Sequence, residues 1–222
     1  MSDSSLVWKD QHESDWKYFA SFPMDDVIFT SQGKTIMERR APRWSPETAD
    51  QLAGFCNWFD VSNNGKWVAS SEHFPGRIYL YDRESGRRIR MLTDRRTDNC
   101  AVAFSPESKH VIGTELIDSI VNVTIWEAES GHVVRRITCH SAWVHALCYT
   151  PDGQKILAGD ESGRLCVWEA NSGELLTSVI PHTRTILQIK FSPDGMRFVT
   201  TSKDGTAKLW RVSRTMYDQY SD

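Results

Sequence analysis

The chain lacks several things, and each lack removes a class of protein. No apolar run approaches the ~20 residues that a membrane-crossing helix needs. No C-x-x-C pair occurs among the five cysteines, Cys56, Cys100, Cys139, Cys148 and Cys166. An odd count without paired spacing argues against a disulfide framework and for a reducing compartment, with the cytoplasm as the expected setting and the nucleus as the other. The opening, Met1-Ser-Asp-Ser-Ser-Leu-Val-Trp8, is too polar for a secretory leader, so the sequon Asn122-Val-Thr124 carries no expectation of glycosylation. The chain also lacks a basic excess: net charge is −3 over 222 residues, which disfavours a dedicated nucleic-acid binder. What remains is an ordinary globular composition, 40% hydrophobic and 25% charged. At this length a sizeable core needs no disulfide support.

Aromatic residues are not scarce. There are nine tryptophans, and three of them keep step. Trp126, Trp168 and Trp210 are each 42 residues apart. Pro106, Pro151 and Pro193 follow at 45 and 42, as do Gly86, Gly131 and Gly173. Three unrelated residue types at one period mean a repeated structural unit. Phe104-Ser-Pro106, Tyr149-Thr-Pro-Asp-Gly153 and Phe191-Ser-Pro-Asp-Gly195 read as one recurring turn. Ile125-Trp-Glu-Ala-Glu-Ser-Gly131 and Val167-Trp-Glu-Ala-Asn-Ser-Gly173 read as another. An earlier, weaker unit runs Val61-Ser-Asn-Asn-Gly65 and Leu80-Tyr-Asp-Arg-Glu-Ser-Gly86, with Tyr81 in the tryptophan position. Between the turns lie short β-rich runs such as Val144 to Tyr149, Lys155 to Ala158, Arg164 to Trp168 and Glu174 to Ile180. Four strands per ~42 residues make a small antiparallel sheet with two faces to cover, so the units stack.

These residues resemble the WD40-repeat family from about Cys56 to Trp210. The resemblance implies an all-β propeller with one four-stranded blade per repeat. The expected units are 56–94, 95–137, 138–180 and 181–222. Residues 15–55 are either a decayed blade or an irregular extension, and 1–14 a loose arm. The Trp-Asp pair itself never occurs. Trp-Glu appears twice, Trp-Arg once and Tyr-Asp once. The second unit has about three extra residues near Leu116 to Val121, most simply a longer loop. After Trp210 the run is polar and lacks an ordinary outer strand, so closure is expected to depend on an N-terminal strand, a second copy, a partner, or further sequence if the chain is a fragment of a longer protein.

The family likeness also explains the most enzyme-like set. His182, Ser202 and Asp204 offer a base, a nucleophile and an orienting acid. No G-x-S-x-G motif accompanies them. The resemblance implies a structural chain running from Trp210 through Ser202 and His182 to Asp204. The preceding unit has His140 and Trp168 with Asp160 and Ser162 in swapped order, and the two earlier units have Leu52 and Arg95 in the histidine place.

Three other patterns read as ordinary. Cys139, His140, His145 and Cys148 have zinc-ligand types but not convergent spacing, since positions 145 and 148 point to opposite faces of a strand. Ser31-Gln-Gly-Lys-Thr35 resembles the end of a phosphate loop but has Ile28 where the first glycine belongs. Arg83, Arg87, Arg88, Arg90, Arg95 and Arg96 are interleaved with Asp82, Glu84, Asp94 and Asp98, as on a solvated edge strand. No catalytic residue, metal or cofactor is expected.

The leading expectation is a non-catalytic scaffold for protein or peptide partners, with self-association or a partner-completed ring as its assembly mode. An enzyme using the central funnel and a nucleic-acid-associated factor are the alternatives. The resemblance places the partner-binding rim at Phe55, Asn57, Asp98, Cys100, Trp143, His145, Glu161, Thr185, Leu187 and Lys203. Phe55 and Trp143 supply aromatic faces, and Asp98 and Glu161 negative charge, a combination suited to a cationic peptide side chain.

Overall fold

The computed structural model describes strands at 19–21, 27–32, 35–40, 51–53 and 217–219 by their backbone pairing, and residues 58–71, 76–93, 101–138 and 143–212 in full. Among the described residues all regular structure is β-strand, in five four-stranded sheets. The first holds β1 (Phe19–Ser21), β2 (Val27–Gln32), β3 (Thr35–Arg40) and β4 (Gln51–Ala53). The second holds β5 (Trp58–Val61), β6 (Trp67–Ser71), β7 (Ile78–Asp82) and β8 (Arg88–Thr93). The third holds β9 (Val102–Phe104), β10 (His110–Ile117), β11 (Ile120–Glu127) and β12 (Val133–Thr138). The fourth holds β13 (Val144–Tyr149), β14 (Lys155–Asp160), β15 (Leu165–Glu169) and β16 (Leu175–Val179). The fifth holds β17 (Ile186–Phe191), β18 (Arg197–Ser202), β19 (Ala207–Val212) and β20 (Tyr217–Gln219). Each is an antiparallel meander in chain order.

The turn residues explain the hairpins. Gly65, Gly153 and Gly195 sit at φ of 67°, 72° and 68°, where a side chain would be strained, and each closes the turn between the first two strands of its blade. In the third blade that position is Ser108, at φ 62°.

Two expectations are corrected. The extra residues near Leu116 to Val121 do not form a longer loop. They lengthen the hairpin, so β10 and β11 each run eight residues and reverse through Asp118 and Ser119, both at positive φ. The polar run after Trp210 does not lack an outer strand: Tyr217–Gln219 pairs with Trp210–Val212 and completes the fifth sheet from its own repeat.

The core lies between blades. Ala69, Ile78 and Leu80 of the second blade pack on Val102, Phe104 and Trp126 of the third. Ile112, Val123 and Ile125 of the third pack on Leu147, Tyr149 and Trp168 of the fourth. Leu157, Leu165 and Val167 of the fourth pack on Ile186, Phe198 and Trp210 of the fifth. Among the described residues the series ends at the fifth blade. Leu209 is 45% exposed, whereas its repeat equivalents Val167, Ile125 and Leu80 are 0%, 3% and 1% exposed. Ala207 is likewise exposed where Leu165, Val123 and Ile78 are buried.

Candidate functional site: rim, channel and the histidine chain

The fifth blade carries a complete polar chain. Trp210 Nε1 donates to the Thr200 hydroxyl at 3.0 Å. Thr200 Oγ1 lies 2.8 Å from His182 Nε2, and His182 Nδ1 lies 3.0 Å from Asp204 Oδ2. One proton arrangement satisfies all four groups. Thr200 donates to Nε2 of a neutral imidazole, whose Nδ1–H donates to Asp204. Asp204 also accepts from Thr206 Oγ1, Thr206 N and Thr183 N at 2.6, 2.9 and 3.0 Å. Those hydrogen bonds, the Thr206 hydroxyl foremost, hold its carboxyl well below the usual range.

Ser202 is not part of that chain, and the middle position expected there belongs to Thr200. The Ser202 hydroxyl donates to Arg184 O and accepts from Asp204 N, at 3.0 and 3.1 Å. Its hydroxyl is therefore committed to the backbone, and no Ser–His nucleophile pair forms. The chain fixes the loop that enters the blade, which is also tied to the preceding blade by His182 N donating to Gly163 O at 3.3 Å.

On the same side, backbone contacts join four of the expected rim residues. Glu161 N donates to Trp143 O at 2.9 Å, and Lys203 N donates to Thr185 O at 2.9 Å. The Thr185 hydroxyl reaches Glu161 O at 3.5 Å and links the two pairs. Thr185 is buried, Glu161 and Lys203 are exposed, and Trp143 is half-buried against the seam between the third and fourth blades. His145 is half-buried beside them. Burial lowers its pKa, Lys203 adds to that, and Glu161 and Asp160 oppose it. Leu187 is half-buried and faces the channel. Phe55, Asn57, Asp98 and Cys100 lie outside the described residues, as do Cys139, His140, Arg95 and Arg96.

The first strands of four blades, β5, β9, β13 and β17, surround a cavity of about 590 Å³. One repeat position supplies a ring of it: Asp60, Ala103, Cys148 and Lys190, each just before the last residue of its strand. Asp60 was not singled out from sequence. Its carboxylate accepts from Phe104 N at 2.7 Å, across the seam to the next blade. Burial pushes its pKa up to about 6, against the pull of that hydrogen bond and of Lys190. Burial also pushes the Cys148 thiol up to about 12, which keeps it protonated and poorly nucleophilic near neutrality. Aligning the four units by strand end would have found this ring. Side-chain type alone hides it, because the position changes from acid to alanine to thiol to amine.

The remaining patterns resolve simply. Gln32 pairs directly with Thr35 between β2 and β3, so strand follows strand where a phosphate loop would open a helix. Arg83 donates to Gly65 O, Arg90 to Glu129 O, and Arg88 lies 4.6 Å over the Tyr79 ring. Among the described residues no three His, Cys, Asp or Glu side chains converge as a metal site, and no helix is long and apolar enough to cross a membrane.

Comparison with known proteins agrees with this geometry. The WD40 family model (WD domain, G-beta repeat) matches residues 131–169 and 173–211. Each matched unit joins the outer strand of one blade to the first three of the next, so each repeat covalently bridges a seam. WD repeat-containing protein SL1-17 of Schistosoma mansoni is 29% identical over 104 residues, 47% of this chain. That match spans 33% of the relative's own length. The β-propeller domain of Cps50 (Swd1) from Myceliophteria thermophila superposes with a TM-score of 0.74 at 16% identity, covering 90% of this chain and 69% of that one. Residues 131–169 and 173–211 are WD40 repeats, and the chain has a β-propeller fold. Domains of this kind generally mediate protein interactions.

Proposed function

We propose that the chain is a non-catalytic scaffold that holds protein or peptide partners on the rim around Trp143 and Glu161 and works inside a larger assembly. The observation that carries this reading is the linkage from Trp143 through Glu161 and Thr185 to Lys203, which ties together the main chain of an aromatic, an acidic and a basic residue on neighbouring blades. An aromatic residue with charged neighbours is the composition of an interface anchor. The committed hydroxyl of Ser202 and the protonated thiol of Cys148 support the non-catalytic side. The exposure of Leu209 in the fifth blade supports the assembly side: an apolar position buried in three blades is 45% exposed in the fourth of its kind.

Quantitative capture from lysate with the intact chain, the Trp143→Ala variant and the Glu161→Lys variant tests it. Partners enriched by the parent chain and depleted by both variants are expected. Identical partner sets for all three, with the variants folded, would contradict the rim as the binding surface.

A further inference from the structure

The outer strands of the blades differ in one respect that bears on assembly. Each outer strand hydrogen-bonds to one neighbour and is the last strand of its sheet. Such edges invite pairing with another chain, and charged side chains are the usual guard. β8 carries Arg88 and Arg90 beside its exposed Ile89 and Met91. β12 carries Arg135 and Arg136 beside Val133 and Val134. β16 carries no charge at all: it reads Leu-Leu-Thr-Ser-Val and runs on into Ile180. Leu175, Leu176, Val179 and Ile180 are 50%, 45%, 38% and 60% exposed.

We propose that β16 is a homodimer edge, where β16 of a second copy of this chain adds antiparallel and joins two blades into one eight-stranded sheet. Among β8, β12 and β16, charge favours β16 for self-pairing. Antiparallel pairing of β8 or β12 with its own copy would bring arginines together, and like charges on paired strands repel. β16 has no charged side chain of its own to meet its copy, and the neighbouring Arg164 donates to the Ser178 hydroxyl at 3.1 Å. In a register centred on Thr177, Leu175 of each copy falls opposite Val179 of the other. The flanking Glu174 falls opposite Ile180, so the two glutamates sit at opposite ends of the pairing. A two-fold contact of this kind closes on itself and stops at two copies. The proposal is independent of the rim reading, because β16 lies on the outer edge of its blade and the rim residues do not take part.

Light scattering at tens of micromolar, a range suited to detecting a dissociation constant of about that size, reads the mass directly. Over a dilution series the weight-average mass of the parent chain is expected to rise from 25.4 kDa toward twice that value as concentration passes the dissociation constant. Leu176→Lys and Ile180→Lys are each expected to give the single-chain mass with an unchanged melting midpoint. Mixing Leu176→Lys with Leu176→Glu is expected to restore the double mass, since these positions are diagonal neighbours across the pair. Leu209→Lys, in the fifth blade, is expected to leave the dimer intact. A parent chain that stays monomeric overturns the proposal. So does association that survives both β16 variants, fails to return on mixing, or is lost in Leu209→Lys.

Discussion

His182 Nε2 and Thr200 Oγ1 lie 2.8 Å apart, both buried, and this contact joins the loop entering the fifth blade to the middle of its sheet. Thr200→Val would leave the Trp210 N–H and the imidazole without their partner. A loss of about 2–4 kcal/mol is expected, because buried polar groups left unpaired cost their full desolvation. Ser202→Ala removes two contacts to backbone and should cost about 1 kcal/mol. Urea melts of the two variants check the order, and an equal or reversed order would place the keystone hydroxyl at Ser202.

Asp60 makes stability fall with pH. Its carboxyl ionises near 3.8 when unfolded and near 6 in the folded chain, so the unfolded chain releases its proton first as pH rises. Stability is fully present below about pH 4, declines to about pH 6, and changes no further from this group above that. Asp60→Asn keeps an acceptor for Phe104 N and removes the titration. It should be more stable than the parent by roughly 1–2 kcal/mol at pH 7, allowing for part exposure to the channel, and about equal at pH 4. Chemical denaturation at both pH values reads the difference, and parallel pH profiles would remove Asp60 from the account.

Gly163 and Gly205 occupy the same repeat position at nearly the same backbone angle, φ 85° and 86°. A Cβ at Gly163 runs into the backbone carbonyl of His182, whereas one at Gly205 meets nothing within 4 Å. Both alanine variants suffer the left-handed backbone strain of about 1–2 kcal/mol. Gly163→Ala should lose roughly 2 kcal/mol more, because the clash is with main chain that cannot rotate away. Equal losses would mean that the next blade does not press on Gly163 in solution.

Ser119 reverses the long β10–β11 hairpin at φ 64°. Ser119→Gly should raise stability by about 1 kcal/mol by relieving that conformation in an exposed turn. A lower melting midpoint would show that Ser119 gains more from contacts than it loses to strain.

How far the sequence could be read depended on what repeats. The period of Trp126, Trp168 and Trp210 located blades because each tryptophan fills the same place in the second-last strand, against the neighbouring blade. The hydroxyl in the polar chain was misplaced by two residues for a definite reason. Thr200 and Ser202 lie on the same face of β18, since side chains alternate with period two. Only the register, which sets Phe198 opposite Trp210, brings Thr200 within reach of the indole N–H. The lengthened β10–β11 hairpin was read as a loop because Asp118 and Ser119 stand where asparagine and glycine would have signalled a tight turn. Asp60 was invisible to motif reading, because a channel position accepts any side chain that suits the ring.

Partner contact confined to one rim is measured most directly by hydrogen exchange with and without a captured partner. Protection is expected at the amides around Trp143, His145, Glu161, Leu187 and Lys203, with the outer strands unchanged by the partner. Protection confined to the outer strands, with the rim amides exchanging as in the free chain, would contradict it.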